Sequence, residues 1–337
     1  MKNLAPLFIL ILLISTNAFG QRDRNISIWN ASPTLYNAAA VASGPEDYSF
    51  FTNFRTQWLT LSGALPCRTN NLVAEFKIPD GSGNNHFGIG LSAMNDQSGD
   101  ARLNTTSISI PINYSIELDK ENILSIGISP GYYMQYFDNS AQTWENQWDG
   151  TIFNSDLSSG ENLNTSYSAV DLGSGIYYQN IQRNSNRIYG GVSLNHITRQ
   201  KIDFSFGGDK LYRNLSIQAG ADLSTRRRDL RVQPQIVYIS SGKTFNLTGG
   251  VQMEHIIQEA SRITEIVKTT TFNYGFFYRW NDAIVTTIGC KLKRFKIGLA
   301  FDANISKLSQ ATSGIGAIEV YFKTLHLYKY TKKRTRL

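Results

Sequence analysis

Few side chains of this chain could do chemistry, and their spacing predicts no metal or cofactor site. The four histidines are His86, His196, His255 and His326. None of them lies at metal-ligand spacing from another histidine or from a cysteine. We therefore expect each histidine to be an ordinary strand or turn residue.

Nucleophilic catalysis would need a serine in a local motif that activates it. The chain has no nucleophile elbow, because its Gly-x-Ser-x-Gly match at Gly127-Ile128-Ser129-Pro130-Gly131 falls inside the predicted strand 122–136 and not at a strand-to-helix turn. Gly81-Ser82-Gly83 is a turn signal rather than a phosphate-binding loop. Asn195-His196 is an adjacent pair that suggests the Ser/His/Asn group of barrel lipases, and no partner serine can be named for it. We predict that the protein is not an enzyme and binds no cofactor.

Acidic residues on polar strand faces are a further candidate, because paired carboxylates can act as a general acid and base. In the lumen of a closed sheet, such residues more often pair with arginine or lysine and hold the interior packed. Arg279 and Asp282 offer one local ion pair. Acids on polar faces include Glu117, Glu254, Asp302 and Glu319.

The elements that carry these residues follow from a hydrophobic period of two. From Ser107 to Leu118, apolar side chains occupy every second position and mostly polar ones occupy the positions between, and residues 295–305 repeat the pattern. Side chains alternate across a strand, so each segment has one apolar and one polar face. The segments run to about 10 residues, the length that a tilted strand needs to cross a bilayer.

These segments predict an all-β protein, a transmembrane antiparallel outer-membrane β-barrel of about 14 strands. In lipid every backbone group must pair within the protein, so a spanning sheet must close. Its apolar face then meets lipid and its polar face lines the lumen. The predicted segments are 47–57, 68–78, 86–95, 104–117, 122–136, 166–179, 187–197, 212–224, 228–241, 243–256, 269–279, 282–292, 294–305 and 314–324.

Composition agrees with a barrel. Charged residues make up 18% of the chain and aromatic residues 12%, whereas a soluble domain carries about 25% charge. The net charge of +7 comes largely from residues 226–231 and from a basic tail at 326–337. We interpret these clusters as solvated turns or as contacts with anionic headgroups or an acidic partner, and we expect no nucleic-acid ligand.

The N-terminus predicts export. Lys2 precedes an apolar run over 7–14 and a small-residue site at Ala18-Phe19-Gly20, which indicates a signal peptide over residues 1–20. The run is too short for a membrane anchor, since a spanning helix needs about 20 apolar residues. Beyond it, Cys67 and Cys290 define no disulfide framework, and whether they pair stays open.

The mature chain is expected to have three parts. Residues 21–46 lack alternation and form either a periplasmic segment or a lumen plug. Residues 47–325 form the barrel, and 326–337 form a tail on the periplasmic side. The longest connection, about 137–165, contains Trp144 and Trp148; we expect it outside the cell, where loops on a rigid scaffold commonly carry function. The alternative is that this loop is only a lid.

The same topology has one feature that departs from the usual barrel. It requires a tight external turn at Ser241-Gly242 and a long periplasmic connection over 257–268, whereas barrels generally have short periplasmic turns and longer external loops. Either the register slips in this half of the chain or the strand count differs from our expectation.

Five short motifs follow one another along the mature chain. They are Tyr36-Asn37-Ala38-Ala39-Ala40, Arg55-Thr56-Gln57-Trp58, Gly88-Ile89-Gly90-Leu91 followed by Asn95-Asp96, Tyr278-Arg279 with Asp282-Ala283, and Asp302 with Glu319 in the last two strands. Together they resemble the PorP/SprF family of type IX secretion system membrane proteins from Bacteroidota. In the first motif, Ala38 replaces the proline of the family pattern.

The resemblance implies a non-enzymatic role at the cell surface. Members of this family work with very large secreted adhesins, in secretion and gliding motility or in holding the adhesin's C-terminal domain. Some touch periplasmic lipoproteins or other secretion components. The resemblance implies that the motif residues are structural or partner-facing: Asn37, Arg55, Gln57, Trp58, Gly88, Gly90, Asn95, Asp96, Arg279, Asp282, Asp302 and Glu319.

Two other functions stay open. An outer-membrane channel for small or hydrophobic solutes also suits a barrel of this size. An open lumen would favour that channel, whereas a lumen filled by side chains, by the N-terminal segment or by a partner would count against it. A hydrolase would need a serine on the external wall close to His196.

Overall fold

In the computed structural model, alternating residues form long strands whose two faces differ as predicted. In the strand Phe295–Asn304, Ile297 and Leu299 are exposed on the outside of the sheet, while Ala300 and Asp302 are buried inside. The structure describes residues 26–60, 65–81, 85–100, 102–138, 142–160, 165–182, 185–202, 209–227, 229–258 and 269–328. The predicted signal peptide and tail residues 329–337 lie outside the described residues.

The strands follow the predicted segments closely, with most bounds differing by one to three residues. They are β1 Tyr48–Gln57, β2 Cys67–Pro79, β3 His86–Ser98, β4 Leu103–Ser109, β5 Ile112–Glu117, β6 Asn122–Tyr136, β7 Ser166–Ile181, β8 Arg187–Asn195, β9 Lys201–Ile202, β10 Asp209–Lys210, β11 Asn214–Ser224, β12 Leu230–Ser241, β13 Thr244–Gln258, β14 Thr270–Arg279, β15 Ala283–Leu292, β16 Phe295–Asn304 and β17 Ile315–His326.

The sheet closes because the first strand pairs with the last. In β1, Tyr48 pairs with His326 of β17 on one side and with Phe76 of β2 on the other. Strands β4 and β5 are two halves of one barrel strand between β3 and β6, interrupted at Pro111, which has no N–H to donate to the ladder. The wall therefore has 14 antiparallel strands, which confirms the predicted fold. Strands β9 and β10 form a separate two-stranded antiparallel sheet.

The two ends of the barrel differ in their connections. We call the end that holds Tyr48 and His326 the terminal rim, and the opposite end the distal rim. The long connection after β6 and the tight turn between β12 and β13 both lie at the distal rim, and residues 259–269 connect β13 to β14 at the terminal rim. The departure from the usual pattern is therefore a feature of this barrel, and neither a register slip nor a different count explains it.

The outer face is a band of apolar side chains that suits lipid. No described helix has the length and hydropathy needed to cross a membrane. Apolar residues exposed on the outside recur along every second position of successive strands. Examples are Leu72, Leu91, Ile126, Ile176, Val192, Ile217, Ile236, Phe276, Ile288 and Leu299.

A charge on this face should destabilise the barrel according to its depth. We expect Leu299→Arg, in the middle of β16, to lower the free energy of unfolding by about 2–4 kcal/mol, because it places a charge near the bilayer midplane. The control Phe295→Arg, at the terminal rim of the same strand, should cost about 0–1 kcal/mol. Denaturant titration in lipid vesicles measures both values, and equal losses would contradict a lipid-facing outer surface.

Candidate functional site

Residues 26–46, which we call the lumen segment, run through the interior of the barrel. The segment contains three single-turn 3-10 helices, Trp29–Ala31, Pro33–Leu35 and Ala38–Ala40. Its hydrogen bonds reach opposite walls. Ser27 donates to Asp302 of β16 at 2.7 Å, Asn37 donates to the carbonyl of Ile176 in β7 at 3.0 Å, and Asn113 of β5 donates to the carbonyl of Ala39 at 2.6 Å. The lumen is therefore filled at this level.

Four charged side chains from the wall meet beside the start of this segment. We call Arg55, Arg279, Asp302 and Glu319 the clamp. Arg55 lies 2.8 Å from Asp302 and 3.1 Å from Glu319, and Arg279 lies 2.8 Å from Asp302. Their side chains are at most 3% exposed. Buried charges are costly unless they are paired and hydrogen-bonded, and here two cations balance two anions.

The clamp binds the lumen segment at Ser27 and Ile28. The Ser27 hydroxyl donates to Asp302 at 2.7 Å and accepts from Arg279 at 2.8 Å and from Arg55 at 2.5 Å. The backbone N–H groups of Ser27 and Ile28 donate to the two carboxylate oxygens of Glu319 at 2.7 and 3.3 Å. A carboxylate that accepts two successive N–H groups fixes the direction of the chain.

Aromatic and aliphatic residues complete the grip on this end of the segment. The side chain of Ile28 packs with Phe51, Val73 and Phe277 of the wall, where it is 3% exposed. Trp29, 1% exposed, packs in a neighbouring cluster that includes Val237. The hydroxyl, aliphatic and aromatic side chains of residues 27–29 therefore contact the clamp and two apolar clusters, respectively.

A second set of charges holds the segment nearer the terminal rim. The Lys323 ammonium lies 3.1 Å from Glu46 and donates to the carbonyl of Ala31 at 3.2 Å, and Thr34 donates to Glu75. Burial by itself raises the pKa of Glu46, but the ammonium groups of Lys323 and Lys296 outweigh it and lower that pKa to about 2. Glu46 is thus ionised and paired over the whole physiological range.

Glycines in the wall make room for the middle of the segment. A Cβ added to Gly88 would lie 2.7 Å from the carbonyl oxygen of Val41, and one added to Gly127 would lie 2.7 Å from the Cα of Ala39. A Cβ at Gly90 would lie 3.0 Å from the Val41 side chain. Side chains at these positions would push residues 38–41 out of place, which is why small residues face each other across this contact.

The other motif residues have local contacts rather than a place in the clamp. Trp58 follows the end of β1 with a φ of +57° and donates its N–H to the carbonyl of Gly316 at 2.9 Å. Asn95 donates to Asn104 at 2.9 Å, and Asp96 accepts from Thr69 at 2.6 Å. These bonds tie β3 to its two neighbouring strands. Half-buried Gln57 ends β1.

The remaining two motif residues are Asp282 and Asn37. Asp282 does form the local pair with Arg279, but at 3.4 Å, and the shorter contact of Arg279 is the 2.8 Å one to Asp302. Asn37 caps the third 3-10 turn, where its side chain accepts from the N–H of Ala39 at 2.9 Å. The sequence motifs grouped the clamp residues only through the family resemblance. They did not reveal that the four clamp side chains meet at Ser27.

The distal loop presents an apolar surface. Its described part, 142–160, folds around buried Gln147, which donates to the carbonyl of Leu157 at 3.1 Å and accepts at its own carbonyl from Asn154 at 2.8 Å. Trp148 is 57% exposed and Ile152 62% exposed, while Trp144 is half-buried. The loop therefore combines a fixed backbone with exposed large side chains.

A cavity of about 110 Å³ lies beside the lumen segment, and its walls carry both polar and apolar side chains. His196 lines it and pairs with Asp171 at 2.8 Å, so this histidine faces the lumen rather than the external wall. Among the described residues no group of three His, Cys, Asp or Glu could hold a metal ion. Cys67 and Cys290 are free thiols.

A closed antiparallel sheet of 14 strands with an apolar outer face defines the class, an outer-membrane β-barrel. The model of the family described as "Type IX secretion system membrane protein PorP/SprF" matches residues 18–322. The chain belongs to this family, which agrees with the motif resemblance, and it is an outer-membrane protein. The search of curated proteins found no match.

Solved barrels share the fold at low sequence identity. The Ralstonia pickettii toluene transporter TbuX has 10% identity and a TM-score of 0.51, with 87% of this chain and 93% of that chain covered. The Pseudomonas putida toluene transporter TodX has 10% identity and a TM-score of 0.50, with 86% and 91% covered. At such identity the likeness concerns the fold alone.

Removing one charged side chain of the clamp should lower the stability of the barrel. We expect Arg55→Met to lower the free energy of unfolding by about 3–5 kcal/mol, because it leaves a buried carboxylate unpaired. The double variant Arg55→Met/Glu319→Met removes a cation and an anion together and should lose less. The control Arg227→Met breaks an ion pair whose side chains are 70% and 48% exposed and should cost under about 1 kcal/mol. Similar losses for the two single variants would contradict this account.

A side chain at Gly127 should displace the lumen segment. Gly127→Ala places a methyl group 2.7 Å from the Ala39 backbone, and overpacking of this kind costs about 1–3 kcal/mol. We expect hydrogen exchange at residues 38–41 to accelerate by about tenfold, which corresponds to about 1.4 kcal/mol. The control Gly190→Ala, whose nearest neighbour would be 3.6 Å away, should leave that exchange rate unchanged. Equal rates in both variants would refute the close fit.

Proposed function

We propose that the protein is a non-enzymatic component of the type IX secretion system that supports secretion or surface anchoring of a large secreted adhesin through the adhesin's C-terminal domain. Membership of the family supports the coarse role. The observation that carries the finer one is the filled lumen: the segment 26–46 is fixed by the clamp and by Lys323. A filled barrel is a rigid anchor rather than an open channel.

The contact surface in this proposal is the distal loop. Trp148 and Ile152 are exposed on a loop whose backbone is held by Gln147. Large exposed apolar side chains on a fixed backbone bind a partner at low entropic cost, and tryptophan is enriched among residues that dominate binding energy. At the other end, the basic tail is proposed to meet periplasmic lipoproteins or other secretion components.

Retention of a very large secreted protein tests this proposal. The tagged barrel is extracted from its own outer membrane in mild detergent, and co-purified proteins are identified by mass spectrometry. Trp148→Ala should reduce the retained adhesin by at least about tenfold, since a central binding residue contributes about 2 kcal/mol or more. The control is Trp280→Ala, which removes a similarly exposed tryptophan from another distal turn. A barrel that retains no large protein, or equal retention by both variants, would overturn the proposal.

A channel for small or hydrophobic solutes is the second candidate. It is supported by the lumen cavity of about 110 Å³ and by the fold shared with toluene transporters. The hydroxyl and amide side chains in its lining, such as Asn71, Ser107 and Ser129, suit a hydrocarbon poorly. Ion conduction by the purified barrel in planar bilayers, together with an empty pull-down, would favour this candidate.

A further inference from the structure

We propose that the clamp is a docking site for an extended polypeptide segment, and that residues 26–36 are its replaceable resident ligand. The site recognises two successive backbone N–H groups, a serine or threonine hydroxyl, and the aliphatic and aromatic side chains that follow. The identity of the natural occupant, a segment of the retained secreted protein, rests on the proposed function. The exchange of the resident segment for another peptide does not depend on that function.

The first argument is electrostatic. The described contacts of residues 26–28 with the clamp use neutral groups, namely the Ser27 hydroxyl and two backbone N–H groups. Arg55, Arg279, Asp302 and Glu319 pair with one another and carry no net charge among them. Departure of the segment therefore leaves no unpaired buried charge, which is the largest cost of breaking a buried ionic site.

The second argument concerns the backbone. Residues 26–36 contain two short 3-10 turns and belong to no strand of the barrel. Its release breaks no ladder bond of the wall. Residues 37–46 have wall contacts of their own: Asn113 donates to two of their carbonyls, and Lys77 donates to the carbonyl of Gly44. These contacts keep residues 37–46 in place when residues 26–36 leave.

The third argument is the space beside residues 26–36. The cavity of about 110 Å³ is lined on one side by Ile26, Thr34, Leu35 and Tyr36 of the segment. Its other walls carry hydroxyl and amide side chains from several strands, such as Asn71 and Ser107. Such groups hydrogen-bond peptide N–H and C=O groups, so an incoming chain finds partners next to the segment that it replaces.

Peptide exchange in the full chain tests the proposal. The probe is a fluorescent synthetic peptide with the sequence of residues 26–37, and the barrel is the purified full chain in detergent micelles. A tethered segment competes at an effective concentration on the order of mM, so the unchanged chain should bind the probe weakly. Ser27→Ala in the chain weakens the resident segment and leaves the clamp intact. Ser32→Ala is the control, because buried Ser32 has a hydroxyl without a hydrogen-bond partner among the described residues.

We expect the Ser27→Ala chain to bind the probe at least about tenfold more tightly than the unchanged chain does, and the Ser32→Ala chain to match the unchanged chain. A probe with alanine in place of its own first serine should bind the Ser27→Ala chain about tenfold less tightly, which is about 1.4 kcal/mol. Thermal unfolding confirms that each variant is folded.

Probe binding that Ser27→Ala does not improve, or equal binding of the two probes, would overturn the proposal. Both results are independent of the adhesin pull-down. Loss of exchange with loop-dependent retention intact would refute the docking site alone, whereas exchange without retention would refute only the proposed partner.

Discussion

The structure depends on the pairing of buried charge inside the barrel. Arg55 and Glu319 come from the first and last strands, and each would be unstable in this interior without its partner. With Arg279 and Asp302 they form a compact polar centre in the lumen. That centre fixes the start of the lumen segment at Ser27 and Ile28.

The sequence predicted the wall better than the interior. Alternation in segments such as residues 295–305 fixes which side chains face lipid, because strand geometry has one period and the bilayer leaves little choice. The polar-face acids Asp302 and Glu319 were expected to pair with arginine or lysine, and they do. Their partners could not be chosen from sequence, since the pairing depends on which strands meet across a closed ring.

Contacts of the lumen segment were beyond sequence reasoning for a different reason. Ser27 has neither charge nor periodicity to mark it, yet it touches three clamp residues. Lys323 did carry a signal, because a lysine at an inward position of an alternating strand needs an acidic partner. Arg279 and Asp282 were expected to pair locally; the shorter contact of Arg279 to Asp302 shows that a neighbour in sequence is not always the principal partner.

The location of the clamp has a consequence for assembly. Strands β1 and β17 form the seam that joins the two ends of the sheet into a ring, and Arg55 and Glu319 face each other across it. While the seam is open, these two residues are apart and the binding site for Ser27 is incomplete. The complete site for Ser27 therefore exists only in a closed ring.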